Sequence, residues 1–172
     1  MNAIYAGPQT RADSGAATRR VVVCATASVA AAWVGLLGPA WTYVPPQPQA
    51  DLPAGELTFA ALSAASADST SAVQAAYFGW LAWCFAVTVT VLMVLLSTTR
   101  SRPVAALCVS AGVVQLAVTV LAVKGPLPWS VFVEGISNIR LGAALALAAI
   151  VLLIGGGLLV LLSPTARTPI AE

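Results

Sequence analysis

The chain has 172 residues, 59% of them hydrophobic and 8% charged, with a formal net charge of +2. Soluble domains carry charge on about a quarter of their residues, so this composition excludes an ordinary water-soluble globule and makes the lipid bilayer the expected partner. The few basic residues are scattered rather than clustered, which also excludes a nucleic-acid surface.

In chain order, residues 1–18 are polar and without periodicity and are expected to form a disordered cytoplasmic tail ahead of a membrane domain over 19–163. The first apolar run covers Val21 to Val44. Arg19 and Arg20 followed by VVVCATASVAAAWVGLLG resemble a signal peptide, but the run is too long and GPAWTYV has no A-x-A cleavage site, so a retained span is predicted. Pro45, Pro46, Pro48 and Pro53 then impose an extended segment, because proline lacks the helix donor. ELTFAALSAA, with Leu57, Phe59 and Leu62, predicts a short helix lying on the membrane surface. Asp68, Ser69 or Thr70 is expected to cap the second span, Val73 to Ser97. A turn, Thr98 to Pro103, leads to the third span, Val104 to Val123. The following loop, with Pro126, Pro128, Trp129 and Phe132, is expected to hug the interface, and Ser137 or Asn138 to cap the fourth span, Ile139 to Leu162. Residues 164–172 form a second tail. At 1.5 Å per residue each run crosses a hydrocarbon layer of about 30 Å.

Charge orients the spans. Arg11, Arg19, Arg20, Arg100, Arg102 and Arg167 lie on one side, and Lys124 and Arg140 on the other. The positive-inside rule therefore places both termini in the cytoplasm. The fold class expected is all-α: a polytopic plasma-membrane protein built as an antiparallel four-transmembrane-helix bundle.

The stretch AAYFGWLAWCF, residues 75–85, gathers five rings at one end of the second span. Tyr77 and Phe78 fit the aromatic belt of the outer interface, level with Trp41, Tyr43, Trp129 and Phe132. Trp80 and Trp83 lie deeper, and Trp33 reaches a comparable depth; their N–H groups want partners, so they are expected to pack on a neighbouring helix or another protein. Tyr77, Trp80, Trp83, Trp41 and Trp129 are the candidate docking residues. Small residues at four-residue spacing, Ala27, Ala31 and Gly35 on span one and Gly142 and Ala146 on span four, predict close helix approach. IGGGLL near the end of span four reads the same way.

Chemistry is sparse. The chain has no histidine, and its cysteines, Cys24, Cys84 and Cys108, are dispersed through the apolar runs. No metal, cofactor or catalytic set is expected, and the protein is read as a non-enzyme. Gln115, the one amide deep in a span, is expected to bond Thr88, Thr90 or Thr119 across helices, or else to line a polar path. Asp51, Glu56, Asp68, Lys124, Glu134 and Arg140 are available for ion pairs between the two outer loops.

GPAWTYVPP leaving span one, the turn TTRSRP, and RLGAALALAAIVLLIGGGLL in span four resemble small four-span membrane proteins of actinobacteria, of which the tryptophan-operon-associated membrane proteins are the nearest family. The resemblance implies plasma membrane and supplies no catalytic residues. The function expected is a non-catalytic accessory or assembly subunit docking a larger cell-envelope complex, or assembling with itself; a small oligomeric transporter or channel is the alternative.

Overall fold

The computed structural model describes residues 9–46 and 53–163, with side chains of the first helix described from Arg19 onward. Asp51, Pro48 and residues 1–8 and 164–172 lie outside the described residues. The structure is mostly helical, and four of its helices are long and apolar enough to cross a membrane.

Helix α1 spans Gln9–Leu37 and so begins within the segment 1–18 expected to be a tail; its membrane-length portion is Arg19–Leu37. It stops seven residues short of the predicted end at Val44. Gly38 and Pro39 follow it, and proline disfavours helical backbone in the residue before it. Thr42–Val44, rich in β-formers, is instead strand β1, paired antiparallel with β2, Gly55–Leu57, in the register Thr42↔Leu57, Tyr43↔Glu56 and Val44↔Gly55. This small hairpin is the departure from an all-α fold.

Helix α2, Phe59–Ser66, forms where a short helix was predicted; Thr58 caps it, its hydroxyl accepting from Ala61 N at 3.4 Å. Helix α3 runs through Ala72–Thr99. Its cap is Ser71, which accepts from Gln74 N at 3.3 Å, one residue beyond the range expected. Ser69 is drawn away by its own bond, its hydroxyl donating to Gln74 Oε1 at 2.7 Å. Arg100 ends α3 in the left-handed region, φ 49°, and Pro103 sits in the first turn of α4, Arg102–Lys124, where its missing N–H costs nothing. Gly125 closes α4 with φ 57° and ψ −145°, a conformation suited to glycine.

A short helix α5, Trp129–Glu134, and a 3₁₀ turn, Gly135–Asn138, lead to α6, Leu141–Leu162. Neither Ser137 nor Asn138 caps α6. Backbone supplies the partners instead: Arg140 N donates to Trp41 O at 3.0 Å and Gly142 N to Ala40 O at 2.8 Å. The segment leaving α1 thus satisfies the first amides of α6.

Helix α6 packs along α1 and α4 and touches α3, while α3 lies against α1 and α4. The faces turned away from these contacts are apolar: Val87, Val91 and Val94 of α3, Leu107, Val113 and Val114 of α4, and Val151, Leu158 and Leu162 of α6 are all exposed. Helices apolar all round suit a membrane span or a larger buried core. The interior is small-residue packing with a few large plugs. A Cβ on Gly35 would lie 3.0 Å from Gly142 O, and one on Gly157 2.7 Å from Ala105 O. Of the predicted packing residues, Gly35, Gly142 and Ala146 are buried and Ala31 is half-buried, but Ala27 is exposed. The buried stripe of α1 runs through Val21, Ala25, Ser28, Ala32 and Leu36, one residue round from the spacing expected.

Candidate functional site

The chemistry of the molecule gathers at one end, that of the β hairpin. Its geometry starts from a backbone irregularity. Tyr77–Leu81 is a turn of π-helix in α3, with Ala82 N donating to Tyr77 O. One extra residue per turn allows two adjacent side chains to face the same way, and such turns recur at functional sites. Here both Tyr77 and Phe78 turn inward, at 2% and 3% exposure, while Trp80 points out at 59%.

The inward rings form a cluster around Trp41, which is 2% exposed. Its ring centroid lies 5.2 Å from Phe59, 5.8 Å from Phe78 and 6.3 Å from Tyr77, the last two edge-to-face. The Trp41 indole N–H donates to Gly35 O at 2.6 Å, and the ring covers Gly142, where a Cβ would come within 2.5 Å of it. Only glycine at Gly142 admits the indole. Trp83 closes the cluster on its rim, 5.7 Å from Phe59 and 6.4 Å from Trp33. The Trp33 N–H donates to Thr90 Oγ1 at 3.0 Å, the interhelical partner that a deep indole requires.

The five residues predicted to dock a partner therefore divide. Trp41 and Tyr77 belong to the chain's own core and present no surface. Trp80 and Trp129 are more than half exposed, and Trp83 is exposed at its edge. Trp129 forms a separate group, 5.8 Å from Phe132 and with Lys124 Nζ 5.1 Å from its ring. Gly79, beside Trp80, has open space where a side chain would stand.

Below the rings lies a polar point. Tyr77 Oη accepts from Thr119 Oγ1 at 3.3 Å, and both residues are buried. Gln115, one helical turn away on α4, is 3% exposed, and its Oε1 is buried with no hydrogen-bond partner. None of the threonines expected to bond it does so: Thr88 and Thr90 donate to Cys84 O and Ala86 O of their own helix, and Thr119 turns to Tyr77. Gln115 lines a cavity of about 20 Å³ together with Tyr77, Phe85 and Ala149. It also lines an open groove of about 380 Å³ between α3 and α4.

One predicted ion pair joins the hairpin to the segment before α6. Arg140 Nε lies 3.4 Å from Glu56 Oε1, and its guanidinium covers Tyr43 at 4.9 Å, tying the hairpin to the start of α6. Ser28, which sequence reasoning passed over, donates to Ala149 O at 2.7 Å and is fully buried, pinning α1 to α6. Its signal was its place on the four-residue stripe of small residues, one position round from Ala27. Among the described residues no group of three histidine, cysteine or acidic side chains could hold a metal ion.

Comparison of the chain with protein-family models, with curated proteins and with solved structures finds no match in any of the three.

Proposed function

We propose that the chain is a non-catalytic integral protein of the plasma membrane, an accessory or assembly subunit that docks a larger cell-envelope complex. In this reading the four membrane-length helices form an antiparallel bundle with both termini in the cytoplasm, and the hairpin end faces out. The arginine distribution supports that orientation: six basic residues fall on one side and Lys124 and Arg140 on the other. The resemblance to small actinobacterial four-span proteins points to the same membrane.

The observation that carries the docking reading is the sorting of rings by the π turn. The inward rings make a rigid platform, and the outward pair, Trp80 and Trp83, rides on it beside the open position at Gly79. An indole held by packed neighbours loses little entropy on binding, which is why tryptophan recurs at the energetic centres of interfaces. The Trp80 indole makes no hydrogen bond within the described residues, so its N–H is available to a partner. A monomeric pore finds less support, because Met93, Leu96, Ala105, Cys108 and Leu153 fill the interior of the opposite end at 0% exposure.

Affinity purification in mild detergent tests the proposal. A stoichiometric partner is expected with the native chain, and its recovery falls at least tenfold in the Trp80→Ala, Trp83→Ala double variant, while Trp129→Ala weakens it less. Equal recovery from all three chains, or a monodisperse protein without a partner, contradicts it.

A further inference from the structure

Two buried polar groups on facing helices each keep one unused hydrogen-bonding capacity, and their needs are opposite. Tyr77 Oη, on α3, accepts from Thr119 Oγ1 at 3.3 Å, and its own hydrogen reaches no acceptor among the described residues. Gln115 Oε1, on α4, is enclosed and receives no donor among them. The amide N–H groups of Gln115 do not alter this, because the oxygen is the enclosed atom. Thr119 and Gln115 are four residues apart and share a face of α4, so the bond from Thr119 holds the phenol hydroxyl over the face that carries the amide. A hydrogen in want of an acceptor thus sits about one helical turn from an oxygen in want of a donor.

Both side chains line the same small cavity, whose other walls are apolar side chains of α1, α3 and α6. Its volume is about 20 Å³, and about 10–15 Å³ is enough to hold one water molecule where polar partners are present. Buried carbonyl oxygens without a donor are rare, and a water-mediated bond is enthalpically close to a direct one. We propose that this cavity is a water-binding site, in which one molecule accepts the Tyr77 hydrogen, donates to Gln115 Oε1 and so bridges α3 to α4 beside the π turn. Water fits because it accepts and donates through a single heavy atom. An ion meets no carboxylate or basic group in the lining, and an organic ligand exceeds the volume. Gln115 stands about 20 Å along α4 from Arg102, so the bound molecule exchanges slowly with bulk water. The site does not involve Trp80 or Trp83 and stands whether or not these dock a partner.

The test is nuclear magnetic resonance of the full chain in phosphatidylcholine nanodiscs, deuterated except for alanine methyl groups. Ala86 and Ala149, which line the cavity, should show cross-peaks at the water frequency, and Ala105 and Ala122, equally buried elsewhere, should not. Gln115→Met keeps the length of the side chain and removes the acceptor, so the cross-peaks should fall about tenfold, the occupancy lost with one buried hydrogen bond. Val89→Ile adds one methyl to the cavity wall and should abolish them while Tyr77, Thr119 and Gln115 all remain. It decides the matter if Gln115→Met fails to fold. Cross-peaks that survive both variants come from the hydroxyl protons of Tyr77 and Thr119 and overturn the site. So does their absence from the native chain, as expected if the amide turns to take the Tyr77 hydrogen directly.

Discussion

The two ends of this molecule hold the same helices together by different means. At the hairpin end the helices are joined by rings and by directed bonds: Trp41 to Gly35 O, Trp33 to Thr90, Thr119 to Tyr77, and Arg140 to Glu56. At the opposite end, around Met93, Leu96, Ala105, Cys108 and Leu153, cohesion comes from shape. A Cβ on Gly157 would lie 2.7 Å from Ala105 O, and one on Gly156 3.2 Å from Met93 Cε. In lipid there is no hydrophobic drive between helices, so close packing and a few interhelical hydrogen bonds carry association. One end uses contact area at short range, and the other adds polar partners that fix orientation and leave indoles facing out.

Substitutions that act on one end alone break or sharpen this contrast. Trp41→Ala should have the largest effect, costing about 3 kcal/mol through lost ring contacts and a lost indole bond. In thermal unfolding in detergent that is a drop on the order of 10 °C, with hydrogen exchange rising first in β1, β2 and α2. At the other end Gly157→Ala should cost about 2 kcal/mol by forcing α4 and α6 apart, with exchange rising near Ala105 and Cys108 while the hairpin stays protected. If both variants loosen the whole molecule equally, the two ends are not separate in their means of support. Ser28→Ala, at mid-depth, should cost about 0.6 kcal/mol, the average for a hydrogen bond between membrane helices. Glu56→Gln should cost least, about 0.5 kcal/mol or less, and 1 M salt should erase the difference from the native chain, because the pair with Arg140 is solvent-facing.

Much of the fold was legible in the residues. Four long apolar runs bounded by arginines have few alternatives in a chain of this composition, and all four appear as membrane-length helices within a few residues of their predicted bounds, except at Val44. That error came from hydropathy alone: Trp41, Tyr43 and Val44 are as apolar as the span, but Pro39 had already broken the helix and a strand partner for Thr42 lay fifteen residues on, at Leu57. The candidate site was only half legible. Tyr77 was assigned to the interfacial belt from its place at the end of span two, and an extra residue in one helical turn leaves no mark on the hydropathy pattern, so its burial in the ring cluster was not foreseen. Gln115 was singled out correctly as the unusual polar residue of span three, but its expected threonines were satisfied locally by carbonyls of their own helix, which spacing cannot foretell.

The sorting of rings into a buried platform and an exposed pair is the claim on which the functional reading rests. It is tested most directly by placing the photocrosslinking residue benzoylphenylalanine singly at positions 77, 80, 83 and 113 in living cells. The account predicts one protein adduct of a single mass at 80 and 83, none at the buried position 77, and none at 113, where Val113 is exposed on another helix. Adducts of the same mass and yield at 113 as at 80, or no protein adduct at 80 and 83, would contradict it.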